Sequence, residues 1–78
     1  VFTYTGGEYR KNGSSWVETQ TNGTVNRFQE IYRDAKVVVL FDSSRALLVR
    51  LPVAGGIATW TTFDRSDWVN LYVVTPGT

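Results

Sequence analysis

Residues 37–41 read Val-Val-Val-Leu-Phe, five apolar side chains in succession within a chain of 78 residues. A strand with one dry and one wet face alternates apolar with polar residues, and this one does not, so both of its faces need cover. A chain of 8.8 kDa has little to spare for that purpose. Area scaling gives it roughly 8,000 Å² of buried surface, about 63% of what the unfolded chain exposes. The usual supports of small domains are missing too: without cysteine there is no disulfide, and without histidine a structural zinc site is all but excluded. What remains is the packed core, complete in itself or shared between subunits.

Valine, threonine, isoleucine and the aromatics total 34 residues, against 22 for Ala, Leu, Glu, Lys, Gln and Arg together, a balance that favours strands. Turn signals recur at Gly6-Gly7, Asn12-Gly13, Asn22-Gly23, Arg33-Asp34-Ala35, Asp42-Ser43-Ser44, Gly55-Gly56, Asp64-Arg65-Ser66-Asp67 and Pro76-Gly77. Strand-length runs lie between them, near 2–5, 8–11, 15–20, 26–33, 36–42, 45–51, 57–63 and 68–74. The expectation is one all-β domain over residues 1–78, a small antiparallel meander forming a barrel or sandwich of six to eight strands.

Pairing the central strands locates the problem of cover. A four-residue turn at Asp42-Ser43-Ser44-Arg45, with the Asp42 carboxylate capping a backbone N–H, sets Phe41 opposite Ala46 and Val39 opposite Leu48. A like turn at Arg33-Asp34-Ala35-Lys36 sets Tyr32 opposite Val37 and Phe28 opposite Phe41. One face then holds Phe28, Tyr32, Val37, Val39, Phe41, Ala46 and Leu48, and the other Ile31, Val38, Leu40, Leu47, Val49 and Leu51. Either a closed barrel hides both faces alone or a second subunit covers one. The terminal strands, rich in Gly, Thr and Asn, have little apolar surface to offer, which favours a homo-oligomer, a dimer or tetramer. On the same pairing, Glu30 and Arg50 share a face and are expected to satisfy one another or a neighbour such as Arg33.

Composition also limits the chemistry. With neither His nor Cys there is no triad, thiol nucleophile or imidazole base, and two lysines offer little for Schiff-base work. Carboxylate pairs remain, yet Asp64 and Asp67 are neighbours in one loop and a domain this size has little room for a deep cleft. The chain is expected to be a binding protein and not an enzyme, with no cofactor and no metal. A net charge of +1, with signs interspersed, argues against nucleic acid and anionic membranes as partners. No apolar run approaches membrane-spanning length and no leader precedes Val1, so the expected state is soluble, processed and without membrane insertion. Two glycosylation sequons, Asn12-Gly13-Ser14 and Asn22-Gly23-Thr24, agree with a secreted or extracellular location but coincide with hairpin turns.

The segment from Trp60 to Tyr72 reads as a hairpin whose loop carries Asp64, Arg65 and Asp67, with Trp60 and Trp68 where the strands meet the turn and Asn70 beyond. Carbohydrate recognition needs that mixture: a flat aromatic face for the C–H groups of a pyranose, and fixed carboxylate, amide and guanidinium groups for its hydroxyls. Trp60, Asp64, Arg65, Asp67, Trp68 and Asn70 are therefore the candidate site, set against a reading in which both tryptophans simply pack. Trp16 and Glu18, on one face of a strand, are secondary candidates, with a core role for Trp16 as the alternative. Aromatics and arginines on a β-surface also suit single-stranded nucleic acid, so an OB-like or cold-shock-like module is the second functional reading.

The ordered elements Trp16-Val17-Glu18, Phe28-Gln29-Glu30-Ile31-Tyr32-Arg33-Asp34, Leu40 to Arg45, Gly55-Gly56, Trp60 and Trp68 to Tyr72 resemble short β modules of bacterial proteins of unassigned role. In size and in lacking cysteine the chain is similar to small marine-sponge lectins that bind N-acetylglucosamine oligomers. The resemblance implies a non-catalytic, homo-oligomeric lectin for glycans containing N-acetylhexosamine. It supplies no binding residues of its own.

Overall fold

The turn residues reverse the chain seven times, and the computed structural model, which describes residues 1–77, places eight strands between the reversals. They are β1 (Phe2–Tyr4), β2 (Gly7–Asn12), β3 (Ser15–Gln20), β4 (Val25–Arg33), β5 (Val37–Asp42), β6 (Leu47–Pro52), β7 (Gly56–Thr62) and β8 (Val69–Pro76). Each pairs antiparallel with the next, and β8 returns to β1 through Phe2 opposite Pro76 and Thr3 opposite Thr75. The sheet closes on itself, so no strand is left with an unpaired edge.

Asp34 shows how a side chain fixes a reversal: its Oδ1 accepts the backbone N–H groups of Lys36 and Val37, both at 2.8 Å. Asp42 does the same for Ser44, with N–H···Oδ1 at 2.9 Å, the capping expected from sequence. The β5–β6 loop nevertheless falls one residue later than expected, at 43–46, which slips the pairing by two. Phe41 faces Leu48 and Val39 faces Arg50, because Ala46 leaves the strand and takes a left-handed conformation at φ 50°. A slip of two preserves which side chains share a face, so Val38, Leu40, Val49 and Leu51 stay together and all four are buried.

Between β4 and β5 the expectation fails by an odd number. Gln29, not Phe28, faces Phe41, while Tyr32 faces Val39, and the mismatch is absorbed by a bulge at Ile31. Phe28 therefore points into the barrel, Tyr32 points out, and Ile31 is exposed. Glu30 and Arg50 are parted by the same shift: Glu30 pairs with Arg33, and Arg50 stands on the outer wall with its Nε donating to the Thr59 hydroxyl at 3.2 Å.

The interior is filled mainly toward the end that carries the chain termini and the β2–β3, β4–β5 and β6–β7 turns. Val38, Leu51, Ala58 and Val74 are buried there beside Phe2 and Trp16. The terminal strands thus supply more core than their composition suggested, since one inward aromatic per strand suffices: Phe2 from β1, Tyr9 from β2 and Trp16 from β3. The Trp16 Nε1–H donates to Glu30 Oε1 at 2.9 Å, and Arg33 grips the same carboxylate through Nε and Nη2. Those bonds, from Arg33 first and then Trp16, hold the Glu30 carboxyl below the usual range.

The second apolar face of β5 and β6 lies on the outer wall, and residues of the β7–β8 connection rest on it. Phe63 packs on Phe41 with ring centroids 5.6 Å apart, and Trp68 lies under the Arg50 guanidinium at 4.3 Å. Val37, Val39, Phe41 and Leu48 are in consequence half-buried within a single chain. The accessible area is 4786 Å², close to the ~4,800 Å² that mass scaling gives for a folded monomer.

Gly7 is where this packing admits no side chain. A Cβ there would collide with the Thr19 carbonyl oxygen and come within 2.9 Å of both Gln20 Cα and the Tyr4 hydroxyl. Gly7→Ala is expected to cost about 1–3 kcal/mol, as overpacking does, read as a lower urea midpoint at unchanged m-value.

Candidate functional site

Eight strands enclose an interior that side chains can just fill, or nearly fill and leave room for one small ligand. Here the filling stops short of the end that carries the β1–β2, β3–β4, β5–β6 and β7–β8 connections. A cavity of about 330 Å³ opens there, at the lower end of the range for small-ligand sites. Phe28, Leu47, Val49, Trp60 and Leu71 make its apolar wall, and Tyr9, Glu18, Gln20, Asn26 and Tyr72 make a wall with polar groups. Arg45 stands at the rim.

Glu18 organises the polar wall. Its side chain points inward from β3, between Tyr9 on β2 and Asn26 on β4, and the residue is only 5% exposed. Tyr4 donates its hydroxyl proton to Glu18 Oε2, Tyr72 donates to the same oxygen at 3.1 Å, and Asn26 Nδ2 donates to Oε1 at 3.1 Å. The Tyr9 and Tyr72 hydroxyls meet at 2.6 Å, and with the Tyr72 proton directed to Glu18, Tyr9 is the donor. The Tyr4 and Tyr72 rings stack face to face, centroids 3.9 Å apart and 6° from parallel. Burial pushes all three phenols well above the ordinary tyrosine range, and for Tyr4 the bond to Glu18 adds to it.

Asp42 secures the rim. Its Oδ2 accepts from Arg45 Nε at 2.6 Å and its Oδ1 from the Ser44 hydroxyl at 2.6 Å. Burial alone would raise this carboxyl, but the Ser44 and Arg45 bonds outweigh burial and hold it below the usual range. Arg45 is thereby neutralised where it stands, its guanidinium 5.9 Å from the Phe28 ring centroid. Among the described residues no buried side-chain nitrogen or oxygen lacks a partner, and no group of three or more acidic side chains is placed to hold a metal ion.

The residues singled out in the sequence are split by the barrel wall. Trp60 pairs with inward-facing Val49 and lines the cavity, and Arg65 reaches back over it at 5.3 Å. Trp68 lies outside, against Arg50. Asp64 takes a hydrogen bond from the Thr62 hydroxyl, Asp67 pairs with Arg65 at 3.5 Å while its carbonyl accepts from Thr61 at 2.7 Å, and exposed Asn70 stands opposite Thr59 on the outer wall. Of these six, only Trp60 and Arg65 face the opening. Trp16 is a core residue with both ring faces buried, whereas Glu18, chosen with it, is the hub of the cavity.

Tyr4, Tyr9, Asn26, Arg45 and Tyr72 are site residues that the sequence reading did not select. An Asn12-Gly13 turn would set Tyr9 opposite Trp16; the turn is centred on Gly13-Ser14 and sets it opposite Glu18, a slip of two that keeps both side chains on one face. Tyr72 lies 54 residues beyond Glu18 and joins it only when the barrel closes.

Comparison with known protein families, curated proteins and solved structures gives no match to this chain. The fold and site define its class: an up-and-down β-barrel with a cavity open at one end.

In an alkaline titration followed by phenolate absorbance, exposed Tyr32 ionises first, while Tyr4, Tyr9 and Tyr72 ionise only as the barrel opens. Their folded-state pKa values lie above the unfolded value of 10.0, so the stability they contribute is intact below pH 10.0 and is lost as pH rises past it. Reversible ionisation of any tyrosine besides Tyr32, with the fold intact, would contradict the closed hub.

Proposed function

We propose that this protein is a non-catalytic carbohydrate-binding barrel that takes one sugar residue of a hexosamine-containing glycan into the cavity beside Glu18. The observation that carries the proposal is the cavity's division into an apolar aromatic wall and a wall of hydrogen-bonding groups. A pyranose is divided in the same way, with C–H groups on its faces and hydroxyls around its edge. In this reading Trp60 supplies the stacking face, and Gln20, Asn26 and Glu18 meet the hydroxyls. Trp68 lies outside against Arg50, Asn70 stands on the outer wall, and Asp64 and Asp67 lie in the exposed β7–β8 loop.

One small, open cavity binds weakly, because little ligand surface is buried against the cost of immobilising it. Multivalency in a homo-oligomer is part of the proposal for that reason. Association would use the half-buried β5–β6 face, where Phe63 is 69% exposed, or the outer strip where Ile57 and Val73 stand opposite each other, 54% and 62% exposed. Sedimentation as a dimer or tetramer supports this; an 8.8 kDa monomer at high concentration removes the oligomer from the proposal.

The test is titration against a panel of oligosaccharides, followed by calorimetry. Trp60→Leu is expected to weaken binding at least about tenfold, the order of one lost aromatic contact, while Trp68→Leu changes it less than about twofold. No binding of any saccharide by folded protein would sink the proposal. Binding to single-stranded nucleic acid that weakens steeply with salt would replace it with the nucleic-acid reading.

A further inference from the structure

The charges around the cavity do not balance, and the imbalance selects among ligands. Each arginine at the opening has its own aspartate: Arg45 is held by Asp42 at 2.6 Å and Arg65 by Asp67 at 3.5 Å. Glu18 is different. Its donors are the hydroxyls of Tyr4 and Tyr72 and the amide of Asn26, all neutral, and none of the ion pairs among the described residues includes it. Neutral donors solvate a carboxylate but leave its charge uncompensated, and on a residue only 5% exposed that charge acts at fuller strength than at the surface.

The surroundings of Glu18 add a second attraction of the same sign. The rings of Phe28 and Tyr72 flank Tyr9 at centroid distances of 5.8 and 6.5 Å, tilted by 51° and 45°, and Trp60 faces the same space. Phe28 and Trp60 already carry guanidinium groups, Arg45 at 5.9 Å and Arg65 at 5.3 Å, so the rings left to an added cation beside Glu18 are those of Tyr9 and Tyr72. The hydroxyl protons are also directed away from a ligand. Tyr4 and Tyr72 spend theirs on Glu18 and Tyr9 spends its own on Tyr72, so these groups present acceptors to the cavity and not donors.

The geometry points to an ammonium-binding cavity: the ligand places a positively charged nitrogen against Glu18, beside the rings of Tyr9 and Tyr72. This inference rests on the carbohydrate proposal for the rest of the ligand and sharpens it. The preferred residue is a hexosamine with a free amino group, and the acetamido group expected from the lectin resemblance is the poorer fit. An acetamido nitrogen is neutral, offers Glu18 no charge, and brings a carbonyl acceptor toward the carboxylate and the tyrosine oxygens.

Two comparisons test it, one of them without sugar. In the first, Trp fluorescence and calorimetry compare glucosamine oligomers with N-acetylglucosamine oligomers of equal length. The free amine is expected to bind about tenfold more tightly or better, and Glu18→Gln, which keeps an acceptor at Oε1 but removes the charge, is expected to bring the two within about twofold. In the second, wild-type protein is titrated with choline and with 3,3-dimethylbutan-1-ol, its uncharged analogue of the same shape; choline is expected to bind about tenfold more tightly. This arm needs no variant and so survives any folding defect of Glu18→Gln. Equal or tighter binding of the N-acetyl oligomer, or no preference for choline over its neutral analogue, overturns the inference while leaving the carbohydrate proposal standing if saccharides bind. Choline binding with no saccharide binding keeps the ammonium site and removes the sugar. A preference that persists undiminished in folded Glu18→Gln also overturns the assignment to Glu18.

Discussion

Closure of the sheet is the constraint on which the rest depends. It is made by few contacts, with β1 only three residues long and the seam to β8 consisting of the pairs Phe2 with Pro76 and Thr3 with Thr75, reinforced by Gly77 N–H donating to the Val1 carbonyl at 2.6 Å. Once those pairs form, every inward side chain faces a common axis. An apolar run that no single sheet could bury is then divided between an interior and an outer wall. The same event brings Tyr72 from β8 to Glu18 on β3, so the core and the cavity are products of one long-range step. Pairings this distant in sequence carry a large loop-closure entropy, and the seam is accordingly the element expected to form last.

The number and placement of strands were legible because each reversal carries its own chemistry, in Asn-Gly, Gly-Gly and the aspartates at 34 and 42. The all-β barrel follows from strand-favouring composition together with a central run that needs cover on both faces. What could not be read was local geometry that breaks a period of two. Nothing in Gln29-Glu30-Ile31-Tyr32 announces a bulge, yet that bulge decides that Phe28 lines the cavity and separates Glu30 from Arg50. The two-residue slip at Ala46 was equally hidden, but its even parity left the faces correct. Partners for the site residues were obscured by distance in sequence, whereas the inward pairing of Trp16 and Glu18 was visible from alternation alone.

The three tryptophans show how one residue type is used for different physical ends. Trp16 is spent inside, its Nε1–H joining β3 to the Glu30–Arg33 pair. Trp68 caps Arg50 on the outer wall and, with Phe63 on Phe41, partly covers the second apolar face of β5 and β6. Trp60 alone has a face toward open space within the barrel. Sequence proximity had grouped Trp60 with Trp68; the pleat assigns them to opposite sides of one wall.

The contact between Val1 and Gly77 has a further consequence. Because the first and last strands are neighbours and every other connection joins adjacent strands, the barrel is, in its connectivity, a ring with one cut. The position of that cut has no special standing in the packing. A chain rejoined across the seam and reopened at the exposed β2–β3 turn, on the end away from the cavity, would meet the same neighbours in the same order. Its ends would then lie at Gly13 and Ser14, and the seam would be held covalently.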